Sequence, residues 1–131
     1  MIASPEQVRA IIQKYDLPQP LLHCYTNAMT FAYLIAFADR ATFDQIEFWT
    51  VPNAGRGNHI YPVLPIDGVK HVFNAKITWP DGEFPDFSYN DLIRDGMPTD
   101  RKAIDRFVGV ALEGGTKMHR TIKLLTQNPF R

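Results

Sequence analysis

The sequence predicts an α+β fold, with helices packed on one face of a small antiparallel β-sheet. Cys24 to Ala38, CYTNAMTFAYLIAFA, is apolar almost all round and holds neither proline nor glycine, the pattern of a helix buried on most faces. HIYPVLPI and VKHVFNAKITW flank Asp67-Gly68, a dipeptide that favours a two-residue hairpin because both positions accept positive φ. The 131 residues, 45% hydrophobic and 21% charged, suit a single domain with one core, since domains most often run to about 100–150 residues.

Taken in order, Ser4-Pro5-Glu6-Gln7 reads as a helix start, with serine as N-cap, proline at the first position and glutamine closing a capping box. Val8, Ile11 and Ile12 form an apolar stripe, so the first helix is predicted over about residues 4–15. Leu17-Pro18-Gln19-Pro20 breaks it, because each proline removes a backbone donor. The buried helix from Cys24 follows. Ile46 to Val51, IEFWTV, reads as a strand ending at Pro52, and Asn53 to Asn58 as a glycine-rich loop. The loop lacks the lysine and hydroxyl of a phosphate-binding loop. Pro62 cannot donate to a ladder, which predicts an edge or an irregular stretch for the first hairpin strand. Residues 79–100 are rich in proline, glycine and aspartate and are expected to form a loop with a helical turn around Tyr89 to Ile93. Ala103 to Leu112 and Thr116 to Thr126 read as two helices around Gly114-Gly115.

Fourteen basic residues balance fourteen acidic ones, against the net pull of a dedicated nucleic-acid binder. Lys117, His119, Arg120 and Lys123 give the last helix a basic face, read as solvated. The apolar stretch Ala28 to Ala38 is too short for a membrane span, which needs roughly 20 residues. The start, MIASPEQVRA, shows no secretory pattern, so the expected location is the cytoplasm, or secretion by a route without a signal. The single cysteine makes no intramolecular disulfide, and no CxxC pair is present for a thiolate zinc site. The histidines and Asp67 lack a recognised metal-ligand spacing, so no metal and no organic cofactor is expected.

Thiol chemistry needs an activated sulfur, a base and a group that orients the base. Cys24 opens the central helix, where unpaired N–H groups and a partial positive charge favour a thiolate and can hold an oxyanion. The hairpin turn selects the base. If Ile66 pairs with Val69, Tyr61 pairs with Asn74 and His59 with Lys76. His59, Tyr61 and Asn74 then share one face and His71 takes the other. His59 and Asn74 become diagonal neighbours within reach of a side-chain hydrogen bond. Cys24, His59 and Asn74 are therefore the candidate nucleophile, base and orienter.

This order of parts resembles the papain-like and transglutaminase-like cysteine enzymes. HCYTNAMTFAYLIA followed by IEFWTV, NHIYPVL and VKHVFNA is similar to small bacterial transglutaminase-like proteins over about residues 21–78. The family's His-Ala-Trp stands here as His59-Ile60-Tyr61, and its Asp-Pro as Asn74-Ala75. Papain-like enzymes place a glutamine shortly before the cysteine as an oxyanion donor, and Gln19 is the nearest candidate. Gln19 and Tyr61 are thus the residues expected on the substrate and oxyanion side. The resemblance implies a thiol-dependent acyl-transfer enzyme, a protease, deamidase or transglutaminase-like protein, acting on protein, peptide or amide substrates. The alternative is a non-catalytic module of the same fold that grips a protein partner as an inhibitor or adaptor.

Overall fold

A computed structural model of the chain describes residues 2–13, 24–54, 57–73, 86–115 and 117. Helix α1 spans Pro5–Gln13. The Gln7 backbone N–H donates to Ser4 Oγ at 3.3 Å, one half of the expected capping box, but Gln7 Oε1 accepts from the Ala3 N–H at 2.6 Å and not from that of Ser4, so the box is not closed. Helix α2 spans Cys24–Ala38. Asp39 then caps a short helix, α3, over Arg40–Asp44, accepting from the Thr42 hydroxyl at 2.7 Å and from the Ile2 N–H at 3.0 Å. The sequence reading passed over α3 because five residues carry too little periodicity to show.

Strand β1 runs Glu47–Ala54, β2 Gly57–Ile66 and β3 Val69–Val72. Helix α4 spans Tyr89–Asp95, β4 is Met97–Pro98 and α5 spans Lys102–Glu113. The four strands form one antiparallel sheet in the order β3-β2-β1-β4. Ile66 pairs with Val69 across Asp67 and Gly68, whose φ values of 51° and 74° are those of a primed hairpin turn. The predicted helix over Thr116 to Thr126 lies outside the described residues apart from Lys117.

Two expectations about prolines are corrected. β1 does not stop at Pro52 but continues to Ala54, with a register shift between Val51 and Ala54 that accommodates the ring. β2, which carries Pro62 and Pro65, is an interior strand. Each proline nitrogen points to the end of a ladder and not to its middle. The Pro62 carbonyl accepts from the Phe73 N–H at 2.8 Å, so its nitrogen also faces β3, one residue past that strand's end. By alternation Pro65 faces β1, beyond its last pair at Glu47 and Val63.

Both faces of the sheet are covered, which corrects the expectation of helices on one face. On the inner face Phe48, Ile60, Leu64, Ile66 and Phe73 pack with α2, α1, α3 and α5 through Ala28, Phe31, Val8, Phe43, Ile104 and Val108. The Phe31 and Phe73 rings lie 5.9 Å apart. On the outer face Val51, Tyr61 and Val63 pack under Leu92 of α4, with Trp49, Val72, Phe87 and Tyr89 around them. Ser88 opens α4 with a full capping box to Asp91. Gly96 lets the end of α4 lie against β1: a Cβ there would stand 3.0 Å from both the Leu92 and Thr50 carbonyl oxygens. Among the described residues no helix is long and apolar enough to cross a membrane.

Candidate active site

Cys24 is the first residue of α2, as the apolar pattern and the preceding prolines predict. His59 lies three residues into β2, opposite Val51, and is fully buried. The hairpin register is the one that selected His59 over His71: Leu64 pairs with His71, so His71 shares the inner face and His59 does not. Asn74 and Gln19 lie outside the described residues.

His59 alternates with Ile60 and lies beside Tyr61, so its ring belongs to the outer face. The two rings meet edge to face with centroids 4.8 Å apart. Phe87 stacks on Tyr61 at 5.2 Å and 20°. Tyr61 is fully buried, so in this structure it offers a substrate no surface. Burial first, and then the negative charge of Asp86, push its phenol up to about 12. Tyr61 therefore stays neutral through the physiological range. Helix α2 packs on the inner face, through Ala28 and Phe31 against Ile60, Leu64 and Phe73. The helix that begins with Cys24 and the ring of His59 are thus assigned to opposite faces of the sheet.

A polar cluster that the sequence reading missed lies further along the outer face. Glu47 accepts from the Trp49 indole at 2.9 Å, from the Tyr89 hydroxyl at 2.9 Å and from the Lys70 ammonium, which also sits 4.7 Å from the centre of the Tyr89 ring. Burial pushes the Glu47 carboxyl up, but the hydrogen bonds from Lys70, Trp49 and Tyr89 outweigh it and leave it below its ordinary value. The hairpin register alone puts Lys70 beside Pro65 on this face, but Glu47 comes alongside only because the β1–β2 register shifts by one residue between Val51 and Ala54, which sets Glu47 opposite Val63 and not Leu64. Trp49 is therefore a partner in a polar clamp, half-buried at the base of α4.

An open groove lined by Ile2, Gln7, Ala10, Ile11, Ala38 and Asp39 lies at the far end of α2. Fourteen residue steps at ~1.5 Å separate Ala38 from Cys24, about 21 Å, so the groove belongs to a different part of the molecule from the candidate nucleophile. Among the described residues no group of three or more His, Cys, Asp or Glu is placed to hold a metal ion.

Compared with known proteins, the chain significantly matches no family model, no curated protein and no solved structure. The resemblance to papain-like and transglutaminase-like enzymes therefore rests on the motifs alone.

Proposed function

We propose that the chain is a thiol-dependent acyl-transfer enzyme acting on amide or peptide carbonyls, with Cys24 as nucleophile, His59 as base and Asn74 as orienter. The observation that carries the reading is the position of Cys24 at the start of a fifteen-residue helix, where N–H groups without intrahelical partners favour a thiolate and an oxyanion. His59 takes the thiol proton, and the thiolate attacks the carbonyl carbon. The helix-start N–H groups hold the oxyanion as it forms. The leaving amine departs with the proton from imidazolium, and water or a second amine cleaves the thioester. The reading requires His59, near the start of β2, to meet the start of α2 around that end of the sheet.

A second reading is favoured by one observation: His59 is fully buried on the face away from the one α2 packs against. A buried histidine in that place is a core residue, and the chain is then a protein-binding module, an inhibitor or adaptor.

Alkylation of Cys24 by iodoacetamide separates the two. The enzyme reading expects a rate near neutral pH above that of a free cysteine, and a fall to that of a free thiol in His59→Gln, with a urea melt confirming that the variant is folded. An inert thiol, indifferent to the substitution, would overturn it and favour the binding module.

A further inference from the structure

The proposed reaction needs the His59 imidazole held in one orientation, since a base misplaced by about 1 Å can lose on the order of a hundredfold in rate. The orienter taken from the sequence is Asn74. The outer face offers a second support. The Tyr61 ring meets the His59 ring edge to face at 4.8 Å, a favoured geometry for aromatic pairs. Phe87 stacks on Tyr61 at 5.2 Å. Phe87 is in turn fixed by its chain neighbours: Ser88 is locked by the α4 capping box, and Tyr89 donates to Glu47. Tyr61 and His59 are neighbours on one strand face, so the β2 backbone sets their spacing without any loop.

Resting on the acyl-transfer reading, we infer that Tyr61 is a positioning residue, whose ring, backed by Phe87, fixes the orientation of His59. This transfers to Tyr61 a role different from the substrate contact expected of it, in keeping with its burial. The hydroxyl is not the working group. The ring is, so phenylalanine should serve and leucine should not.

The test is nuclear magnetic resonance of the His59 ring in the full chain, together with iodoacetamide alkylation of Cys24. In the wild type the His59 ring protons should show Overhauser contacts to the Tyr61 ring. Tyr61→Leu should shift the His59 ring signals and slow Cys24 alkylation by about tenfold, and Tyr61→Phe should restore the ring signals. Phe87→Leu removes the backing from a half-buried position and should shift the same signals, which keeps the test open if Tyr61→Leu does not fold. Cys24 alkylation at the wild-type rate in both Tyr61→Leu and Phe87→Leu, or a Tyr61→Phe variant as slow as Tyr61→Leu, would overturn the inference. Signals that move while alkylation ignores His59→Gln would leave the positioning intact and refute the acyl-transfer reading instead.

Discussion

The two faces of the sheet are built differently. Among the described residues the inner cluster gathers eighteen buried side chains from two strands, four helices and the flanking Ile46 and Phe73, whereas the outer cluster has four. The outer face is the richer in ionisable groups, with His59, Tyr61, Glu47 and Lys70 on it and Asp86 close to Tyr61, against His71 and Tyr33 on the inner side. Burial of apolar area scales with the free energy of folding at roughly 25 cal/mol per Å², so the inner face dominates stability. The outer face has room for polar groups because the fold does not depend on filling it with apolar ones. Substitutions should therefore divide into those that unfold the protein and those that alter its chemistry.

The largest effect should come from the inner face. Phe48→Ala empties a site that is 1% exposed and should cost about 3–5 kcal/mol in a urea melt. A loss under about 1 kcal/mol would remove the distinction between the faces. On the outer side the sensitive position is one of space. Gly96→Ala drives a methyl group to 3.0 Å from two backbone oxygens and should cost about 1–3 kcal/mol, loosening α4 without melting the inner core.

Glu47 gives the smallest effect, and its sign is set by the carboxyl's lowered folded-state value. A depressed value means stability that is present above the ordinary 4.5 and lost as the pH falls through the folded value. Glu47→Gln should be less stable than wild type near neutral pH, and the gap between their urea midpoints should close in acid below 4.5. A gap that is constant with pH would show that the Lys70 and Tyr89 contacts do not depend on the Glu47 charge.

Much of this layout was legible in the sequence. The bounds of α2 follow from an uninterrupted apolar run, and the β2–β3 register from Asp67-Gly68, so the sorting of His59 from His71 was readable in advance. Alternation says which residues share a face but not which face a distant helix covers. For that reason the sequence grouped His59 with Cys24, while packing assigns α2 to Ile60 and Leu64. The pairing of β1 with β2 was illegible because its register shifts by one residue between Val51 and Ala54, which no side-chain pattern announces, and with it went the Glu47 clamp. The outer cover of α4 was hidden as well, since seven residues with one buried leucine leave little pattern.

The central claim is that Cys24 is an activated thiol served by His59, and the titration of Cys24 tests it most directly. Thiolate absorbance in the ultraviolet, followed against pH in wild type and His59→Gln, reports the state of the sulfur itself. The account predicts thiolate formation well below the ordinary value for cysteine, about 8.5, with a return toward that value in the variant. A wild-type titration at or above the ordinary value, unmoved by the substitution, would contradict it.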